Sequence, residues 1–284
     1  MRDTDYVGRR ALSRCRYWGV ALGLTLLFAG AHRVVAQFAT TDVHVTETLT
    51  HGSVHWTEGQ ARSQGRATGT PRRGARGSAM QEATHAARQE LARVFGQLRL
   101  DATHTLAHVL QTVDGTPQAL EALLAQALVA ETRYGPGGIV EATVHLAFAG
   151  PLMARVLPVM SPVALESLPA SEAVHTGVVI DARGLAVQPA LFPAIVDEQG
   201  QPLYTPELVE REAAIQQGYV TYAKALDQAP VPARIGANPL VVRALRVAGV
   251  TRVDLVLSQS EAARLRDYAA MRRLMRQCRL VILV

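Results

Sequence analysis

Residues 1–36 read as a cleavable export signal, and what that segment takes away sets the terms on which the rest must fold. Arg9, Arg10, Arg14 and Arg16 form a positive start, residues 17–31 (YWGVALGLTLLFAGA) an uncharged apolar stretch, and Val34-Val35-Ala36 a site with modest residues at −3 and −1. Cleavage after Ala36 makes Gln37 the mature N-terminus; Ala29-Gly30-Ala31 is a second possible cut. A membrane-spanning helix needs about 20 apolar residues, and this stretch stops short at His32 and Arg33. No stable membrane span is therefore expected after cleavage. Arg9-Arg10 is followed by Ala11-Leu12-Ser13, a weak twin-arginine match, so ordinary export to the periplasm or exterior is expected.

Six of the 29 basic residues and two of the 24 acidic ones lie in this leader, so the formal charge of +5 falls to +1 without it. A nucleic-acid binder keeps a basic patch in its mature domain; nucleic acid is not an expected partner. Cys15 belongs to the leader and Cys278 is alone in the remainder, which excludes an intrachain disulfide there. The fold must rest on its core, with Cys278 a buried thiol beside Leu280 to Val284.

The pattern along the chain predicts an α+β protein of two small mixed units, each a short sheet packed by helices. They occupy residues 37–150 and 173–284, joined by a Pro-rich linker at 151–172 (Pro151, Pro158, Pro162, Pro169). In the first, Val54 and Trp56 alternate with polar residues, as do residues 61–68, giving a hairpin across Glu58-Gly59. A basic loop, TPRRGARGS, follows at 70–78. Met80, Ala83, Ala87, Leu91, Val94 and Leu98 form one helical stripe. Thr116-Pro117 starts a second helix, burying Leu120, Leu123, Leu124, Ala127 and Leu128. After Gly135-Pro136-Gly137-Gly138, Val140, Ala142, Val144, Leu146 and Phe148 mark a strand.

In the second unit, residues 177–183 predict a strand and residues 194–204 a hairpin. Thr205-Pro206-Glu207 starts a helix with Leu208, Ile215, Tyr219, Tyr222 and Leu226 inward. Residues 239–249 have no decisive period, 252–257 read as a strand, Ser258 and Glu261 cap a helix ending near Gln277, and 280–284 form a buried terminal strand.

Chemistry is sparse. His104 and His108 have a zinc-like spacing, but Thr105 stands where a metalloprotease has glutamate, and no third ligand is spaced nearby. No G-x-S-x-G elbow or glycine-rich phosphate loop is present, and Ser258 and Ser260 are accounted for by capping. No catalytic residue, metal site or cofactor is assigned. The candidate ligand-binding residues are Asp181 and Arg183, on one strand face at a loop mouth, with Arg234 and Asn238, and also Asp254, as residues that would converge there. A structural ion pair is the competing account of Asp181 and Arg183.

Residues 50–150 resemble the LPP-type bacterial outer-membrane lipoprotein family (flagellar assembly lipoprotein P-like). The likeness lies in the order of a Trp56 strand, a Gly65/Gly69 strand, an Ala-rich helix (Glu82-Ala83, Ala86-Ala87, Glu90-Leu91), a second helix and a strand at 138–150. TGVVIDARGL (176–185), AIVDEQGQPLY (194–204) and RIGANPLVV (234–242) are similar to the second half of uncharacterised exported bacterial proteins. The resemblance implies a non-enzymatic envelope protein acting through protein–protein contacts, with other envelope proteins or copies of itself as partners and assembly of a surface or flagellar structure as its role. No lipobox cysteine is present, so lipid attachment is not implied. The alternative is a periplasmic ligand-binding or hydrolytic protein using the Asp181/Arg183 mouth.

Overall fold

The computed structural model describes residues 43–69, 75–113, 117–157, 175–266 and 269–284. The expected leader, the first half of the expected 70–78 loop, Thr116 and residues 158–172 of the expected linker lie outside them.

Alternating residues build an antiparallel first sheet. β1 (Thr46–Leu49), β2 (Gly52–His55) and β3 (Gln60–Thr68) pair in sequence, with Val54 opposite Ala61. On β3 the small residues Ala61, Ser63 and Gly65 face inward, because α1 (Ala75–Gln97) lies directly against them. Ala83, Ala87, Leu91, Val94 and Leu98 are buried as expected. Met80 is exposed and Ala79 takes the inward place; α1 also begins within the stretch expected to be loop.

α2 (Leu106–Val113) and α3 (Pro117–Leu124) follow, then β4 (Leu128–Tyr134) and β5 (Ile139–Ala147). The sheet order is β1-β2-β3-β5-β4. β5 buries Val140, Ala142, Val144 and Leu146 in strict alternation. Leu128, expected inside the second helix, instead opens β4 and is exposed. The expected linker begins with another helix, α4 (Pro151–Val156), which buries Leu152, Met153 and Val156.

The second sheet takes its strands from β6 (Val178–Asp181), β7 (Ile195–Asp197), β8 (Pro202–Tyr204), β9 (Thr221–Ala223), β10 (Leu240–Ala248), β11 (Asp254–Leu257) and β12 (Leu280–Leu283). Between them come α5 (Arg211–Gln217), α6 (Val231–Ile235), α7 (Gln259–Arg266) and α8 (Ala269–Arg276). The order is β8-β7-β11-β10-β6-β12-β9, with β10, β6, β12 and β9 parallel. A continuous apolar run suits a parallel strand covered on both faces, and all four residues of β12 are buried between β6 and β9.

The long helix expected after Thr205 is instead a 3-10 turn (Pro206–Leu208), α5 and β9. Gly218 ends α5 with φ +80, a conformation that costs glycine little. Tyr219 and Tyr222 are buried as expected, but beyond the helix. Ser258 Oγ accepts the Glu261 N–H at 3.3 Å at the start of α7.

The fold is thus α+β, with two sheets packed by helices. They are not separately cored units, however: one buried cluster runs from Val54, Trp56 and Leu91 through Phe148 and Met153 to Tyr222, Leu255 and Ile282. Backbone bonds tie the halves as well. Leu191 and Phe192 N–H donate to the carbonyls of Arg99 and Leu100, and Gly150 N–H to that of Ile215. No helix among the described residues is long and apolar enough to cross a membrane.

Candidate functional site

Of the four residues expected to share a loop mouth, Asp181 and Arg183 meet, while Arg234 and Asn238 lie elsewhere. Asp181 ends β6, and Arg183 closes back on it: Nε donates to Oδ1 at 2.8 Å, Nη2 to Oδ2 at 2.7 Å and the backbone N–H to Oδ1 at 3.2 Å. The Arg183 hydrogen bond holds the Asp181 carboxyl below its usual range. Both carboxylate oxygens are occupied, so this is an ion pair that shapes a turn. Asn238 lies at the opposite end of the strand, where its N–H donates to Thr176 Oγ1 and its carbonyl accepts the Thr176 N–H. Thr176 and Asp181 are five residue steps apart along the chain that enters and forms β6, on the order of 15 Å if extended. Asp254 accepts the Ala194 N–H at 2.9 Å, and burial raises its carboxyl.

His104 and His108 stack with ring centroids 5.3 Å apart, and Asp101 sits 3.0 Å from the His104 ring. No group of three or more His, Cys, Asp or Glu that could hold a metal occurs among the described residues.

Arg234 leads elsewhere. Its Nη1 donates to the carbonyls of Cys278 (2.6 Å) and Gly218 (3.2 Å), and its Nη2 to those of Gln217 and Gly218. Those carbonyls lie at the end of α5 and just beyond α8, where backbone acceptors are left over and a cation is favoured. The side chain is buried, only 8% exposed, and burial lowers its affinity for a proton. No carboxylate among the described residues pairs with it, and Nε makes no hydrogen bond with them.

Arg234 also lines a cleft of about 250 Å³ between the two sheets. One wall is Trp56 to Gly59, Phe148 and Met153; the other is Gln217 to Tyr222 with Pro230 and Ala233 of the α6 region. Trp56 packs on Phe148 at 5.6 Å and on Tyr222 at 5.7 Å between ring centroids. Thr221 is 5% exposed, lines the cleft, and has no hydroxyl partner among the described residues.

The cleft borders the last strand of the second sheet. β9 is the last strand of its sheet and pairs only with β12. Val284 N–H donates to the Ala223 carbonyl at 3.0 Å, which turns Ala223 toward β12. Alternation along a strand then directs the Tyr222 N–H and carbonyl away from β12, to an edge that is covered, since all three residues of β9 are buried. Residues 177–284 match the family described as Treponema pallidum Tp0624, second domain. No curated protein matches the chain.

The Tp0624-like half therefore supplies β9, Thr221 and Arg234, while Trp56, Phe148 and Met153 lie outside the matched residues. Of the residues singled out from sequence as ligand candidates, Arg234 alone reaches this cleft. Trp56, Thr221 and Tyr222 were not among them. Their one legible signal was Gly218 followed by Tyr219-Val220-Thr221-Tyr222, a β-prone run after a helix-ending residue. Cys278 is buried behind Arg234, and burial pushes its thiol up to about 11.

Proposed function

We propose that the protein is a non-enzymatic, exported component of the bacterial cell envelope that works through contacts with other polypeptides, in assembly of a surface or flagellar structure. The leader-like residues 1–36 and the lipoprotein-family resemblance of residues 50–150 support the location and the role. The observation that carries the contact reading is the outer edge of the first sheet. β4 is an edge strand, with Leu128 64% and Tyr134 61% exposed and Val129 exposed beside them. An apolar, unpaired strand edge is a template for another strand.

The partner that β4 fits is a second copy of itself. Glu131 and Arg133 form an ion pair within the strand. An antiparallel pairing centred on Thr132 sets Glu131 of each chain opposite Arg133 of the other, the reciprocity a two-fold contact requires. Light scattering across a concentration series is the test. Glu131→Arg is expected to shift the protein to monomer, and Glu131→Arg combined with Arg133→Glu to restore the dimer. A wild-type protein that stays monomeric at all concentrations would remove self-association through β4.

A second reading, ligand binding, is favoured by the cleft around Trp56 and Arg234. It moves the binding site away from the Asp181/Arg183 mouth, which is closed by its own ion pair.

A further inference from the structure

We infer that the outer face of β10 is a docking surface for an acidic, amphipathic helix of another polypeptide. It is a second contact surface, apart from the β4 edge, and rests on the reading above only in that the protein works through polypeptide contacts.

Strand alternation divides β10 between two environments. Leu240, Val242 and Ala244 are buried in the cluster that also holds Leu265, Met271 and Met275 of α7 and α8. Val241, Arg243 and Leu245 point the other way and are exposed, Val241 at 44% and Leu245 at 49%. The pairing with β11 slips between Ala244 and Arg246, a bulge that leaves an exposed Arg246 beside Leu245. These are not edge residues: β10 lies between β11 and β6, inside a seven-stranded sheet.

The same face is covered farther across the sheet. Val241 is in register with Val179 of β6, and Val179 packs with Val281 of β12, Ala223 of β9 and Val231 and Ile235 of α6. Among the described residues that cover does not extend over β10, where Val241 and Leu245 stay exposed. Parallel strands are ordinarily covered by helices on both faces, so the open part suits one more helix. Val241 and Leu245 are about 13 Å apart along the strand. About two and a half helical turns span that distance.

Charge names the occupant. Arg243 and Arg246 make no ion pair among the described residues. The carboxylate in register with Arg243, that of Asp181, has both oxygens taken by Arg183. Two unpaired guanidinium groups beside two exposed aliphatic side chains disfavour a second copy of this face, which would bring like charges together. They fit a helix with leucine-like residues on one side and glutamate or aspartate flanking them.

The test is fluorescence anisotropy with a labelled peptide of about 15 residues, long enough to form a helix. It carries leucines at helical spacing on one face and flanking glutamates; a matched peptide has lysine for each glutamate. The glutamate peptide is expected to bind saturably and the lysine peptide at least tenfold more weakly. Arg243→Glu combined with Arg246→Glu should reverse that preference, and Leu245→Ser should weaken the glutamate peptide severalfold, with thermal melts unchanged because all three positions are exposed. Equal binding of the two peptides, or a preference that survives the charge reversal, overturns the proposal. Tighter binding to phosphatidylglycerol vesicles than to the glutamate peptide makes the face a membrane contact instead. A wild-type dimer that persists in Glu131→Arg but is lost in Leu245→Ser makes a second copy the occupant. If neither peptide binds, the β10 face is no docking surface, while self-association through β4, measured without peptide, stands or falls separately.

Discussion

The indole of Trp56 and the ring of Tyr222 meet nearly edge to face, centroids 5.7 Å apart and planes at 72°. One follows β2 of the first sheet and the other sits on β9 of the second, so this pair joins two halves that the sequence pattern treats separately. The Tyr222 hydroxyl is held in turn by Ala190, donating to its carbonyl at 3.0 Å and accepting its N–H at 3.1 Å.

Trp56→Ala is expected to destabilise the whole protein by about 3–5 kcal/mol, the usual cost of removing a buried large aromatic. The measurement is urea unfolding followed by circular dichroism. Because one core serves both sheets, the variant should still unfold in a single transition. Two separate transitions would show that the sheets are independent after all.

The contact of β3 with α1 depends on Gly65. A Cβ there would stand 2.1 Å from the Ala87 nitrogen and 2.3 Å from the Ala83 carbonyl oxygen, both rigid backbone atoms. Gly65→Ala should therefore cost about 1–3 kcal/mol or more, as overpacking does. Gly96, in the last turn of α1, has open space around its Cβ position. Gly96→Ala should be neutral or stabilising by up to about 1 kcal/mol. Denaturant midpoints of the two variants should move in opposite directions or differ clearly in size.

The two arginines singled out from sequence should behave differently. Arg234→Met strips the Gln217, Gly218 and Cys278 carbonyls of their donor and is expected to cost at least about 1–3 kcal/mol. Arg183→Ala breaks an exposed pair and should change stability by about 0–1 kcal/mol. Melting temperatures of the two variants, measured side by side, decide this; equal losses would contradict the assignment of Arg234 as a clamp.

Asp197 is buried at the β7–β8 turn. Burial alone would raise its carboxyl, but the Arg266 ion pair and the N–H groups of Gln201 and Gln199 outweigh it and hold the group below its usual 3.8. A lowered folded-state value adds stability above the unfolded-state value, and that stability is lost as pH falls through the folded one. Wild type should therefore lose stability on acidification below about pH 4 more steeply than Asp197→Asn. Asp254, raised chiefly by burial, works in the opposite sense: its ionisation weakens the fold as pH climbs from 3.8 through its higher folded value. Denaturant melts between pH 3 and 7 on Asp197→Asn and Asp254→Asn test both slopes.

Local pattern was enough wherever an element's own neighbours bury it. The alternation of β5, the stripe of α1 from Ala83 to Leu98 and the apolar run of β12 are each written in the chain, because period 2, period 3.6 and unbroken apolarity reflect how many faces are covered. Tertiary structure alone decided β9, β4 and the cleft. β9 is three residues long and exists because β12, some sixty residues later in the chain, pairs with it; the β-prone run Tyr219 to Tyr222 after Gly218 is too short by itself to separate that strand from a helix end. β4 pairs on only one side and buries little, so its composition carries no periodic mark. Arg234, Trp56 and Tyr222 come together only when the two sheets share a core, and a meeting of residues so far apart in sequence leaves no trace in the spacing of any of them.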